Sequence, residues 1–216
     1  MNELEFIKRT EAYIAFEFKT EGSGHDWYHI DRVRKMALKI GREEKCDLFI
    51  TEMAALLHDL DDWKLQGSES PVHSRSGKFL AELKVDSAIA LKVLQIIDEV
   101  SYQGVGTETP VSSVEGAVVQ DADRLDAIGA IGIARAFAYG GHKGRLIYDP
   151  VVSPVMHADF QEYRKSTGPT INHFYEKLLL LSDRMNTETA RKIAKGRHQF
   201  IQNYLSQFHE ECQAKK

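Results

Sequence analysis

Two cysteines among 216 residues, Cys46 and Cys212, are too few for a disulfide framework, and free thiols suit a reducing compartment. No stretch approaches the roughly 20 consecutive apolar residues of a membrane span. The first residues, Met1-Asn2-Glu3-Leu4-Glu5-Phe6, are acidic and amphipathic, whereas a secretory leader is basic and then apolar. The expectation is a soluble, cytoplasmic protein with no membrane partner. Basic charge is also scarce. Lys and Arg number 28 against 32 Asp and Glu, for a net charge of −4 and an isoelectric point near 6.1, so a nucleic-acid polymer is not an expected partner. There is no internal repeat, no low-complexity tract and no alternating run that would argue for a sheet. A chain of this length can bury one sizeable core without staples.

What is present is helical periodicity. Apolar residues at three-to-four spacing predict a helix over 3–19 (Leu4, Ile7, Ala12, Ile14, Phe18), ended by the turn Gly22-Ser23-Gly24. Helices are predicted over 27–44 and 47–60, with Asp47 as N-cap, and over 73–84 and 86–101, with Asp86 capping the second. Residues 103–110, rich in Gly and Thr, read as a loop. Ser112 or Ser113 opens a segment that runs, with a kink, to Tyr139, where Gly140-Gly141 stops it. Within it, Gly129, Gly132 and Ala134 allow close helix packing. Residues 141–157 read as a long surface loop, and 169–184 and 187–209 as two closing helices. The fold class is all-α. A single domain is expected over 1–216, with core helices at about 25–140 and C-terminal helices at about 169–209 packing on them. The apolar face of the first helix is one that a homodimer could use.

Four groups interrupt apolar, helix-periodic segments. His29 shares a stripe with Val33, Met36 and Ile40. His58 and Asp59 end the run that begins at Met53, with Ile50, Ala54 and Leu57 on the stripe of His58. Asp123 aligns with Val119 and Ala127. An ionised carboxylate facing inward is prohibitive without a partner, so three helices presenting such groups imply a shared cation. Two imidazoles and two carboxylates with no thiolate suit Mn, Fe, Mg or a similar divalent ion in roughly octahedral geometry, with positions left for water and substrate. A closed structural zinc site more often uses cysteines. That set reads as catalytic.

His29-Ile30-Asp31-Arg32-Val33, then His58-Asp59 at the end of an apolar helix, then Ala122-Asp123-Arg124-Leu125, resembles the HD-domain superfamily of metal-dependent phosphohydrolases. The likeness is greatest to its small stand-alone bacterial members, and it extends from Gly24 to Leu178. It implies a helical fold with a metal between helices, held by His29, His58, Asp59 and Asp123. Asp121, Asp123 and Asp126 crowd together, and it is resemblance to Ala-Asp-x-Leu patterns that selects Asp123. Asp126 is then expected to orient a ligand or an arginine. His25 and Asp26, a further His-Asp pair, are expected behind the ligands.

Asp62 is the expected acid–base residue. It falls at i+4 from His58 and i+3 from Asp59 if the helix persists one more turn, and the resembled enzymes carry an acidic residue at this offset. Asp61 is expected to face water. Phosphate calls for further cations: Arg32, three residues from His29, and Lys64, with His73 and Lys177 as additional contacts. Each has a plain alternative as a solvated or locally paired side chain. The basic loop His142, Lys143 and Arg145 reads as a connector, or as a lid over a polyanion. The function implied is hydrolysis of a phosphate ester or anhydride in a small nucleotide-like substrate, leaning to pyrophosphohydrolysis of nucleoside triphosphates. A 5′-nucleotidase or cyclic-nucleotide phosphodiesterase would use the same site. A non-catalytic nucleotide or metal sensor is the reading from another class.

Overall fold

Side-chain caps set most of the helix starts. The molecule was studied as a computed structural model, which describes residues 2–19, 26–61, 74–100, 109–156 and 167–215. Asn2 accepts from Glu5 N ahead of α1 (Glu3–Glu17). Asp26 accepts from His29 N at 2.8 Å ahead of α2 (Trp27–Glu44), and Asp47 accepts from Phe49 N and Ile50 N ahead of α3 (Leu48–Leu57). After α4 (Ser74–Glu82), Asp86 accepts from Ala88 N and Ile89 N at the start of α5 (Ser87–Val100). Ser113 caps α6 (Val114–Asp126) by accepting from Gly116 N. Then come α7 (Gly129–His142), α8 (Thr170–Glu176) and a 3₁₀ segment Leu178–Arg184. Thr187 accepts from Ala190 N ahead of α9 (Glu188–Cys212). Each such cap satisfies backbone donors that a helix start leaves over. No strand occurs among the described residues, so the all-α class holds.

The described residues group into two compact units: those up to 100 with 109–122, and those from 123 onward. In the first unit α3 is central, with α1, α2 and α5 packed on it and α4 on α5. Every residue from Met53 to Leu60 is buried, as expected of a helix that is apolar all round. Ile7, Ile14, Ile30, Val33, Ile40, Val93 and Ile97 surround it. Arg34, half-buried, ties three helices together. Its Nε donates to Glu52 of α3 at 2.7 Å, and its Nη1 lies 3.1 Å from Glu11 of α1 and 3.9 Å from Asp31 on its own helix. Leu4 and Phe16 of α1 are exposed.

The second unit packs α7 on α9, α8 on α7, and the 3₁₀ segment on α8 and α9. Phe137, Phe174, Tyr204 and Phe208 form a ladder of rings with centroids 5.7, 6.0 and 6.1 Å apart. Such offset and tilted pairs add to the area they bury.

The expected 169–184 helix is divided into α8 and the 3₁₀ segment at Lys177. Three other boundaries differ from expectation, each for a physical reason. The long 112–139 segment is two helices, because Gly129 adopts φ +77° and the chain turns between Asp126 and Gly129. The expected stop at Gly140-Gly141 is displaced to Gly144, with φ +65°. Arg145 N donates to Gly140 O and Gly144 N to Gly141 O, closing α7 with a Schellman motif. Gly140 is small for another reason: a Cβ there would lie 2.1 Å from Thr170 Oγ1. Third, α3 ends at Leu57, not at 60, as described with the site below.

The single-domain reading of residues 1–216 is carried forward as a proposal, and unfolding in one two-state calorimetric transition is the outcome it requires. Glycine substitutions test the close approaches. A Cβ on Gly132 would sit 2.2 Å from the carbonyl oxygen of Ala127, whereas one on Gly196 in α9 meets nothing within 4 Å. Gly132→Ala should therefore destabilise by about 1–3 kcal/mol, and Gly196→Ala should stabilise by about 0.4–1 kcal/mol. Denaturant midpoints at constant m-value provide the check.

Candidate metal centre

His29 sits in the first turn of α2, its backbone N–H held by the Asp26 carboxylate, so the cap fixes the residue that carries the imidazole. Asp26, expected behind the ligands, thus acts on the backbone of one of them. His58 is the C-cap of α3, in helical conformation. Its Nδ1 lies 2.8 Å from the carbonyl oxygen of Ala55. A carbonyl oxygen can only accept, so Nδ1 carries the proton and donates it. The ring thereby occupies a carbonyl that the next helical turn would use, and the chain tightens into a three-residue bond, Leu60 N to Leu57 O at 3.0 Å. The helix ends at Leu57, two residues before Asp59.

The Nδ1–H bond leaves the lone pair of His58 on Nε2, which faces Asp59 Oδ1 at 3.4 Å. The other oxygen of the same carboxylate lies 3.2 Å from His29 Nε2. The two rings meet edge-on, with centroids 5.4 Å apart at 67°. His29 is fully buried, and His58 and Asp59 are 6% and 7% exposed. One ligand atom from each of the three lies within 4.8 Å of the other two. Two ring nitrogens and a carboxylate converging in a buried space are reconciled by one positive charge shared among them, and the N/N/O donor set suits a divalent transition ion. The hydrogen bond from His58 to a backbone carbonyl is the kind that fixes a metal-binding tautomer. His29, His58 and Asp59 therefore fit a divalent cation.

The carboxylates of α6 separate by burial. Asp121 is fully buried and Asp126 is 4% exposed, while Asp123 is half-buried. Asp121 lies in the first unit with His29, His58 and Asp59, and Asp123 opens the second. Helical spacing sets Asp121 apart from the face that Asp123 and Asp126 share, yet it is the most buried of the three. Asp126, expected to orient a ligand or an arginine, accepts from Arg135 Nη1 at 2.8 Å. Beside it, Arg197 donates to the Leu125 carbonyl, and burial lowers its pKa against the opposing pull of Asp126.

Of the expected phosphate contacts, Arg32 is half-buried on α2, and Lys177 is half-buried at the end of α8. His25, Asp62, Lys64 and His73 lie outside the described residues. The i+4 phase proposed for Asp62 assumed a further helical turn. Residues 58–61 are instead in turns, so its proximity to His58 no longer follows from helix geometry. Asp61, expected to face water, is instead half-buried and bonded: it accepts from Arg75 N and Ser76 N, both at 3.0 Å, and from Ser76 Oγ. In the second unit Lys143 and Arg145 lie 5.6 and 5.8 Å from the Tyr139 ring centroid, which gives part of the basic loop an aromatic seat.

An all-helical protein with a buried two-histidine, one-carboxylate centre at the end of its central helix defines the class, and comparison places the chain within it. Residues 26–128 match the HD domain family. The chain is 44% identical to an HD-superfamily hydrolase of known structure from Bacillus thuringiensis, covering 99% of this chain and 100% of that one, with a TM-score of 0.77. A Lactobacillus plantarum structure aligns with a TM-score of 0.85 at 38% identity, over 96% of this chain and 97% of that one. Bacillus subtilis YpgQ, an uncharacterised protein, is 41% identical over 209 residues, 96% of this chain and 94% of YpgQ. The crystal structure of YpgQ in complex with ADP aligns with a TM-score of 0.76 at 38% identity, over 95% and 97% of the two chains. The chain belongs to the HD superfamily, and its similarity to solved structures named HD-superfamily hydrolases supports a hydrolase. Among the described residues no helix is long and apolar enough to cross a membrane.

His173 of α8 generates a pH prediction. Burial first, then the charges of Lys177 and Arg145, push its pKa down to about 3. The native state therefore refuses a proton that the unfolded chain accepts below about 6.5. Stability should be unaffected by this group above that value and be lost progressively as pH falls towards 3, at up to about 1.4 kcal/mol per pH unit. Urea unfolding between about pH 4 and 7 should show a shallower acid dependence in His173→Gln than in wild type.

Proposed function

We propose that the protein is a metal-dependent phosphohydrolase of a small nucleotide, and that its preferred reaction is pyrophosphohydrolysis of a nucleoside triphosphate. The observation that carries this is the convergence of His29, His58 and Asp59 on one buried point. The nucleotide part draws support from YpgQ, a relative whose structure is a complex with ADP. A divalent ion, Mn, Fe or Mg, supplies Lewis-acid polarisation of a phosphoryl oxygen and acidification of water when bound.

The chain's own groups have separable tasks. His58 presents Nε2 in the tautomer set by Ala55, and Asp59 places one oxygen near the Nε2 of each imidazole, where a shared ion would meet all three. Asp62 is assigned the proton, taken from the attacking water or given to the leaving oxygen. Arg32, Lys64, His73 and Lys177 are assigned to the phosphates, where a guanidinium grips two oxygens and an ammonium acts as a point charge. Asp123 is assigned as the fourth ligand from its place in Ala122-Asp123-Arg124-Leu125. Asp121 is the competing assignment, favoured by its complete burial within the unit that holds the other three.

Chelation should abolish turnover, and Mn should restore it. His58→Ala or Asp59→Ala should lose both bound metal and activity, and full activity in metal-free protein would sink the proposal. Chelation should also lower the melting temperature, since an ion bound only to the native state stabilises it by mass action. Pyrophosphate release from a triphosphate panel supports the preferred reaction. Inorganic phosphate from a 5′-monophosphate, or opening of a cyclic nucleotide, would redirect it, and metal binding without turnover would indicate a sensor.

Single substitutions assign the remaining roles. Asp62→Asn should keep its metal and lose roughly 10²–10⁴-fold in kcat. Metal analysis of Asp121→Asn and Asp123→Asn decides the fourth ligand, because only the ligating position should empty the site. Arg32→Ala should raise KM with kcat nearly unchanged if Arg32 grips phosphate equally in ground and transition states.

A further inference from the structure

Two of the three converging groups lie where α3 gives way to turns: His58 is its C-cap and Asp59 the residue after it. The residues that immediately follow are captured from elsewhere. Asp61 Oδ1 accepts from Arg75 N at 3.0 Å, and Asp61 Oδ2 accepts from Ser76 N at 3.0 Å and from Ser76 Oγ. Arg75 Nη1 reaches back to the Leu60 carbonyl at 3.3 Å, and Nη2 of the same guanidinium pairs with Glu17, the last residue of α1. Residues 60 and 61 are thus both fastened to the first turn of α4.

The arrangement is a helix cap supplied from a distance. The amides at the second and third positions of α4 are the ones a local capping side chain would satisfy. Here the acceptor comes from 14 and 15 residues earlier. Both carboxylate oxygens are engaged, and the bonded hydroxyl belongs to Ser76, which is fully buried. An ionised carboxylate with three donors is held in place far more firmly than a solvated one. The circuit closes through the packing of α4 on α5, of α5 on α3, and of α1 on α3.

We infer that Asp61, with Arg75 and Ser76, is a positioning device that holds the His58-Asp59 turn in the geometry needed to bind the cation. The inference rests on the metal reading proposed above. Asp61 touches neither ion nor substrate in this role; it acts through Asp59, two residues away. A cap that served α4 alone would contribute stability and leave the affinity of the site unchanged.

Mn(II) titration of the full-length, metal-stripped chain by calorimetry, with melting temperatures in chelator, separates these roles. Asp86→Ala, which removes the cap of α5, serves as a control for loss of a cap away from the turn. Asp61→Ala should weaken Mn binding by about 10–100-fold, the range for groups that orient ligands. Asp61→Asn, which retains one acceptor oxygen, should fall between it and wild type, and Asp86→Ala should keep wild-type affinity. If Asp61→Ala and Asp86→Ala both lose melting temperature and both bind Mn as wild type does, Asp61 is only a cap and the inference is overturned. Should Asp61→Ala fail to fold, Ser76→Ala decides, since it removes one donor of the three. Weakened Mn binding there upholds the inference, and unchanged binding overturns it. Wild-type protein that binds no Mn, or Asp59→Ala that binds it undiminished, would instead overturn the metal reading, and this inference with it.

Discussion

A carboxylate held between two imidazoles inside an apolar core is the constraint on which the first unit is built. Asp59 places one oxygen 3.2 Å from His29 and the other 3.4 Å from His58, with all three groups buried. Burying such groups costs several kcal/mol unless their charge and hydrogen-bonding capacity are met. The surrounding structure is consistent with that demand. The His58 ring is pinned through Nδ1, the His29 backbone is pinned by Asp26, and the α3 segment behind them is enclosed by apolar side chains.

Holding a site at the end of a buried helix needs the helix itself to be fixed. Asp47 caps its start, and the Asp47 amide is tied in turn to Glu115 of α6 at 2.9 Å. Arg34 spans Glu11, Asp31 and Glu52, so α1, α2 and α3 share one half-buried guanidinium. Taking away one partner of such a cluster leaves the others desolvated, which is why networks of this kind couple helices more strongly than isolated surface pairs. The turn beyond Leu57 lies outside these ties, and it is there that Asp61 and Arg75 make their connections.

In the second unit, positive charge and aromatic rings predominate. Arg145 and Lys177 lie close enough to His173 to help keep it neutral, and Lys143 and Arg145 both lie near Tyr139. Arg135 and Arg197 surround Asp126, and the aromatic ladder from Phe137 to Phe208 links α7, α8 and α9. A neutral imidazole can donate one hydrogen bond and accept another, so His173 sits among these cations as a polar group without adding to their charge.

Caps and apolar stripes were legible in the amino-acid sequence because each depends on residues within about four positions of one another, and the order His29, His58-Asp59 was legible through its resemblance to a known pattern. Asp47 and Asp86 cap their helices as expected. Tertiary structure alone decided the rest. At the end of α3 burial brings the His58 ring onto a backbone carbonyl, and periodicity carries no trace of it. Asp61 reads locally as one more aspartate in an acidic run, yet its donors lie 14 and 15 residues later. Gly140 looks like a helix stop, and its true constraint is the approach of Thr170. The different burial of Asp121 and Asp123 depends on how α6 is rolled against its neighbours, a matter of about 100° per residue that spacing cannot resolve among three close carboxylates. Local chemistry determined which residues are suited to bind a cation. Packing decided which of them meet.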